Sequence, residues 1–284
     1  MSLFPTKLNF DICTFCNHKC TFCSNADERT LKESVSYDDF IAVMDNVVKY
    51  VKIEELGLSA KGEVLLNKDI IKIVRAAKEH YKIRYVYIST NGAMLTKELA
   101  SNLLESGLDS IKFSINGYDE ASYKTIHLKD DFKKVVKNFN DLLELKRVEY
   151  PNAKILISSI IDIDKDELTS FFKNYFFPNY ELIDALLKYN ITYTPKFIDF
   201  RIDTSKLRPC PLVFNEIYID SDCRLGLCCK DYFKEFDYGS LLKYDFKELY
   251  IGSQMRTIRK QHTDMTLPDD HFCKKCLIFE SNNA

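Results

Sequence analysis

The chain has 284 residues, 46% of them hydrophobic, enough for one large α/β domain and a smaller one. Forty Lys and Arg stand against 42 Asp and Glu, and this net charge of −2 lacks the basic field that general nucleic-acid binding requires. The start, Met-Ser-Leu-Phe-Pro-Thr-Lys, holds no apolar signal region, and no apolar run reaches the roughly 18 residues of a membrane span. A cytoplasmic protein without membrane or nucleic-acid partners is expected, and there ten cysteines point to metal rather than to disulfides.

Lys7 to Ile12 reads as a strand that runs into a cysteine-rich loop. Ser36 can cap a helix to about Val51, with Phe40, Met44, Val47 and Val51 at helical spacing. Glu55 to Ser59 is a strand, Lys61-Gly62-Glu63-Val64 a turn, and Lys68 to Tyr81 a second helix. Arg84 to Ser89 is a strand closed by Thr90-Asn91-Gly92; Thr96 caps a third helix that Gly107 ends. Ser110 to Ile115 is a strand ending in Asn116-Gly117, and a long helix covers about Asp131 to Lys146. Ala153 to Asp162 is a strand, Asp166 to Tyr175 and Tyr180 to Tyr189 are helices, and Ile191 to Phe200 is a sixth strand. Alternating strands and helices predict a parallel sheet, here a partial (β/α)6 TIM-like barrel over residues 1–205. Active residues of such barrels follow the C-terminal strand ends, which gathers the cysteine loop, Lys61 to Glu63, Thr90 to Gly92 and Ser114 to Gly117 at one mouth.

From about residue 206 to 284 the pattern changes. Phe214 to Asp220 and Arg224 to Cys229 form a hairpin, Phe246 to Gln261 a helix, and Cys273 and Cys276 lie in a terminal loop. Cys210, Cys223, Cys228 and Cys229 complete the cysteines of this part.

The first loop carries Cys13, Cys16, Cys20 and Cys23. Cys16, Cys20 and Cys23 are spaced Cys-x3-Cys-x2-Cys, which can hold three irons of a 4Fe–4S cube and leave the fourth iron open for a ligand. A zinc site using all four thiols is the competing reading, although zinc knuckles are usually further apart. Cys13 is treated as a buried thiol and His18 as solvated or structural.

With these motifs the chain resembles the radical S-adenosylmethionine (SAM) enzymes, followed by a domain similar to the SPASM/twitch class. Phe22 stands before the last cysteine as in the family signature, and Gly62-Glu63 is similar to the end of its Gly-x-Gly-Glu-Pro loop. Thr90-Asn91-Gly92 resembles the third-strand motif, and Ser114-Ile115-Asn116-Gly117 the fourth-strand Ser-x-Asp-Gly with Asn for Asp. The resemblance implies that Phe22, Gly62, Glu63, Asn91, Ser114 and Asn116 bind SAM. It also implies two 4Fe–4S clusters, one that binds SAM and one auxiliary, and an electron donor such as flavodoxin or ferredoxin.

For the auxiliary cluster, hairpin geometry favours Cys210, Cys228, Cys273 and Cys276. Cys223 sits at the hairpin tip, and Cys229 shares a face with Leu225 and Leu227, which reads as core. A zinc ribbon on the same four thiols stays open.

The resemblance implies reductive SAM cleavage to a 5′-deoxyadenosyl radical and hydrogen abstraction, and so an oxidoreductase. The expected substrate is a small polyhydroxylated molecule, an aminocyclitol or sugar, with the auxiliary cluster as electron acceptor. A maturase of ribosomally made peptides is the alternative; the motif's nearness to the first residue leaves little room for a peptide-recognition domain. A zinc-stapled binding module is the non-enzyme alternative. Arg201, Lys61 and His127 are candidate general bases.

Overall fold

The structure, a computed structural model, describes residues 4–26, 32–160, 165–176, 178–188 and 207–282. Six strands run in chain order: β1 (Lys7–Phe10), β2 (Glu55–Gly57), β3 (Tyr85–Thr90), β4 (Ser110–Ser114), β5 (Lys154–Ser159) and β6 (Ala185–Lys188). Each pairs in parallel with its predecessor. Alternate residues explain the layering. Leu8 and Phe10, Val86 and Ile88, and Ile111 and Phe113 are buried against the helices, whereas Asn9, Tyr87 and Lys112 point to the concave side.

The helices between the strands are α1 (Tyr37–Val48), α2 (Ile70–Arg75), α3 (Lys97–Glu105), α4 (Glu120–His127), α5 (Phe132–Val148) and α6 (Lys165–Phe176). Ser36 and Thr96 cap α1 and α3 by accepting the backbone N–H three residues on, as their sequence predicts. Phe40, Phe113, Phe139 and Phe176 are fully buried in the layer between sheet and helices.

One barrel assignment differs from the sequence reading. Residues 180–188 are not an α-helix. A short 3-10 turn, Asn179–Leu182, leads into strand β6. The cause is tertiary: Asp184 accepts the Ile155 N–H at 2.7 Å and binds Lys146, which holds the segment along β5. The sixth strand expected at Ile191 to Phe200, and Arg201, lie outside the described residues. Helix α4 has no counterpart in the sequence reading. Asp119 and Ser122 close a capping box at its N-terminus, a signal present in the sequence.

Beyond residue 206 come α7 (Leu212–Asn215), β7 (Ile217–Ile219), β8 (Leu225–Gly226), α8 (Phe246–Tyr250), α9 (Ser253–Asp264) and α10 (Phe272–Asn282). Strand β7 pairs in parallel with β1, Leu8 opposite Ile217, so the hairpin extends the main sheet in the order β6-β5-β4-β3-β2-β1-β7-β8. The hairpin pairs Tyr218 with Gly226, one residue off the predicted register. Its turn spans Asp220 to Cys223, and Cys223 adopts a left-handed φ of 61°.

Candidate active site

The cysteine loop leaves the C-terminal end of β1 and is stitched to its neighbours. The Glu63 N–H donates to the Phe15 carbonyl (2.8 Å), the Thr21 N–H to the Ile126 carbonyl (2.9 Å), and Asn91 Nδ2 to Asn17 Oδ1 (2.8 Å). Gly62 lies so close that a Cβ there would stand 2.3 Å from the Cys13 carbonyl oxygen. The loops after β2 and β3 and helix α4 therefore converge on the cysteines, as the strand-end argument predicts.

Cys16, Cys20 and Cys23 face one another. Burial pushes the Cys16 thiol up to about 11, with Cys23 adding to it, and Cys20 up to about 12, with Cys23 and Cys16 adding. Cys16 is exposed and the other two are half-buried. Thiols kept protonated by burial, with each other's charge adding to it, fit a polycationic centre, which would favour their thiolates. Cys13 sits apart, buried in a bridge to Ser34.

Phe22 is half-buried in the turn between Cys20 and Cys23. Glu63 is a clamp: its buried carboxylate accepts the Thr90 hydroxyl (2.7 Å), the Asn91 N–H (2.8 Å) and the Leu65 N–H (3.1 Å). Asn116 Oδ1 accepts the Ile160 N–H (3.0 Å), tying β4 to β5, and the Ser114 hydroxyl lies 3.4 Å from that of Ser158. Asn91 Oδ1 accepts the Ala93 N–H at 3.0 Å, so Asn91 spans two loops.

His18 is fully enclosed rather than solvated, and it meets His127. Their Nδ1 atoms are 3.2 Å apart, His18 Nε2 is 3.0 Å from Asp131 Oδ2, and His127 Nδ1 is 3.4 Å from Cys20 Sγ. Burial first, then His18, lowers the His127 pKa to about 3, so it stays neutral. Sequence reasoning missed this pairing because 109 residues separate the two histidines.

Lys61 is not poised as a base. It is buried, and its Nζ donates to Asp220 (2.5 Å) and to the Asp231 carbonyl (2.7 Å), joining the barrel to the hairpin. Beside it Asp11 is wholly buried near the Ala60 and Lys61 backbone, and burial raises its pKa to about 7.

The C-terminal cysteines divide. Cys228 lies within electrostatic reach of Cys273 and Cys276, and Cys273 within reach of Cys276 and Cys210. Cys273 and Cys276 lie in the first turns of helix α10, not in a loop, and their spacing of three places both thiols on one face. The Cys210 N–H donates to His262 Nδ1 at 3.3 Å. Cys223 is buried near Asp39, Asp222 and Glu33, away from that group. Cys229 does not join the core of Leu225 and Leu227. The strand ends at Gly226, so alternation stops there, and Cys229 is near Lys230, Glu216 and Lys61.

Cys229 also reaches Tyr87 and Lys112 on the concave side. These two residues, with Ser89, Leu156 and the first residues of β1 to β4 (Lys7, Glu55, Tyr85 and Ser110), line a cavity of about 230 Å³ on the concave face, toward the N-terminal ends of the strands. Tyr232 bridges toward the first loop, since both Cys23 and Cys229 act on its hydroxyl.

A parallel partial barrel with three thiols at its mouth and further thiols in its C-terminal part has the layout of an iron–sulfur enzyme. Residues 11–173 match the Radical SAM superfamily and residues 210–277 the SPASM iron-sulfur cluster-binding domain. The chain belongs to the radical SAM superfamily. It is a radical SAM enzyme, with SAM and a 4Fe–4S cluster in the first domain and auxiliary iron–sulfur binding in the second.

Among curated proteins, the GTP 3′,8-cyclase of Chlorobaculum tepidum is 30% identical over 161 residues, 55% of this chain and 46% of that protein. The probable GTP 3′,8-cyclase of Sulfurisphaera tokodaii is 25% identical over 81% of this chain and 83% of its own. The chain spans about half the length, or less, of the first three curated relatives it matches. Two solved structures share the fold. Streptococcus suis SuiB bound to precursor peptide SuiA has a TM-score of 0.70 at 15% identity, covering 98% of this chain and 70% of that one. BtrN in complex with AdoMet and 2-DOIA has a TM-score of 0.63 at 14% identity, covering 97% and 94%. No helix among the described residues is long and apolar enough to cross a membrane.

Proposed function

We propose that the chain oxidises a small polyhydroxylated substrate, an aminocyclitol or a sugar, held against the concave face of the barrel. The observation that carries this reading is the polar lining there: Tyr87, Ser89 and Lys112, with Lys7 and Glu55 farther toward the N-terminal strand ends, offer hydroxyls, amines and a carboxylate, and about 230 Å³ suits a compact molecule. Cys16, Cys20 and Cys23 hold the SAM-binding cluster, and Cys210, Cys228, Cys273 and Cys276 hold the auxiliary cluster. The Gly62 backbone, Phe22, Asn91, Ser114 and Asn116 surround SAM, and Glu63 fixes the loops that do so.

When bound, these cofactors supply a 5′-deoxyadenosyl radical that takes a hydrogen atom, and a cluster that takes up one electron. The chain does the rest. Ser89 and Ser110 orient substrate hydroxyls, while Tyr87 is fixed by donating to Asn9 (2.9 Å). Lys112 Nζ receives the hydroxyl proton; burial lowers its pKa from the ordinary lysine range, which suits a base. Lys61 and His127 have other partners.

The test is anaerobic turnover of the iron-loaded chain with SAM and a reductant, against aminocyclitols and sugars, GTP and short peptides. A product two hydrogens lighter from a polyol, formed with 5′-deoxyadenosine, supports the reading. Turnover confined to GTP or to peptide sinks it in favour of a cyclase or a maturase. Zinc without iron or sulfide in anaerobically purified protein would leave only a binding module.

A further inference from the structure

Two buried histidines beside the first cysteine loop, His18 and His127, have no part in the function proposed above. The Asn116 N–H, at the end of β4, points at His127 Nε2 at 3.1 Å. An N–H can only donate, so Nε2 must accept, and the single ring proton of neutral His127 sits on Nδ1. That Nδ1–H faces Cys20 Sγ at 3.4 Å and His18 Nδ1 at 3.2 Å. His18 in turn has Nε2 against the Asp131 carboxylate at 3.0 Å, which assigns its proton to Nε2 and leaves its Nδ1 as an acceptor. Tyr123 stacks on His127 at 4.1 Å and 17°, which locks the ring plane. The one Nδ1–H of His127 is then shared between two acceptors, Cys20 Sγ and His18 Nδ1.

His18, Cys20 and His127 also bring three possible metal-ligating atoms within 4.8 Å of one another. Cys20 is counted here among the cluster ligands, so the three are read as a hydrogen-bonded group beside that cluster.

We propose that His127 is a positioning residue whose Nδ1–H hydrogen-bonds the Cys20 thiolate of the SAM-binding cluster and raises that cluster's reduction potential. A hydrogen bond to a ligating sulfur stabilises the more negative, reduced cluster, and so favours its loading with an electron. The donor is held by the Asn116 N–H just after β4, and Asn116 and Ser114, the last residue of β4, are read as SAM contacts. The network therefore ties the cluster's electronics to the wall that meets its ligand. The proposal rests on Cys20 being a cluster ligand.

The experiment is an EPR-monitored redox titration of the reconstituted full chain, following the reduced-cluster signal that changes when SAM is added. His127→Phe keeps the ring stack and removes both nitrogens. The expected result is a lower midpoint for that cluster, an unchanged midpoint for the auxiliary cluster, and slower 5′-deoxyadenosine formation with a weak reductant than with a strong one. His127→Gln, which can still donate, recovers part of the shift. A wild-type midpoint in His127→Phe with full iron content overturns the proposal. Should His127→Phe fail to load iron, the wild-type protein decides. After exchange into D2O and [15N]histidine labelling, pulsed EPR should show a deuteron and a histidine nitrogen coupled to the reduced cluster, and their absence overturns the proposal. Failure of the underlying ligand assignment looks different: Cys20→Ser would then keep both clusters and the SAM-responsive signal.

Discussion

The two cysteine groups are assembled by opposite strategies. Cys16, Cys20 and Cys23 come from one loop, and their closeness is set by local spacing before any tertiary contact is made. Cys210, Cys228, Cys273 and Cys276 come from the segment before α7, the end of the hairpin and the first turns of α10, and meet only once the C-terminal part has folded. The first group is open on one side, with Cys16 exposed; in the second, Cys273 is buried and the others half-buried. A group fixed by sequence can leave a coordination position free without losing its shape. A group gathered from distant segments gains its shape from closing around what it holds.

The largest effect should separate the groups by chemistry. Cys16→Ala is expected to take 5′-deoxyadenosine formation to background and iron from about eight per chain to about four. Cys273→Ala should lose a similar amount of iron yet keep the SAM-responsive signal. Iron analysis with EPR of both variants checks this, and loss of that signal in Cys273→Ala would mean the groups are not independent.

The division between the adjacent thiols is sharper still. Cys228→Ser should remove the auxiliary cluster, and Cys229→Ser should leave the iron content at the wild-type value. The reverse pattern would move the ligand to Cys229.

At the seam between the groups, Lys61→Met should cost about 3–5 kcal/mol in denaturant unfolding, because it strands the buried Asp220 carboxylate. Asp11→Asn should do the opposite. Burial raises the folded-state pKa of Asp11 from 3.8 to about 7, so the wild type loses stability as pH rises through that window, whereas asparagine does not. The variant is expected to be more stable at pH 8 by up to about 4 kcal/mol, a gain that fades toward pH 4. Thermal melts across pH check the sign; a constant difference would show that the carboxyl is not the cause.

The smallest effect is at the hairpin tip. Cys223→Gly should change stability by no more than about 1 kcal/mol, since a left-handed φ of 61° suits glycine and offsets the lost burial. Its iron content should stay at the wild-type value.

These contrasts track what the sequence makes legible. Strands β1 and β4 alternate apolar with polar residues, β3 and β5 are short runs rich in Tyr, Val, Ile and Leu, and the caps Ser36 and Thr96 mark their helices, so most of the barrel can be read directly. Strand β6 could not be, because Leu186 and Leu187 fit either element and the hydrogen bond of Asp184 to β5 decides. The cysteine triplet is a local pattern. The partner of its middle cysteine, His127, sits on a helix of eight residues with little periodicity, and only the pair Asp119 and Ser122 announced it. The fates of Cys228 and Cys229 turned on where β8 stops, which a face-alternation argument assumes rather than predicts. Lys61 reads as a reactive amine in one dimension; only the folded chain supplies Asp220, 159 residues on, to occupy it.

The pairing of β7 with β1 has a further meaning for how the protein can be divided. Without the C-terminal part, β1 would be a bare edge strand, its N–H and C=O groups open to pair with another chain. Both modules therefore share one continuous ladder of backbone hydrogen bonds. A barrel cut off near residue 205 would be a sheet seeking a partner, with its cysteine loop hanging from the exposed strand.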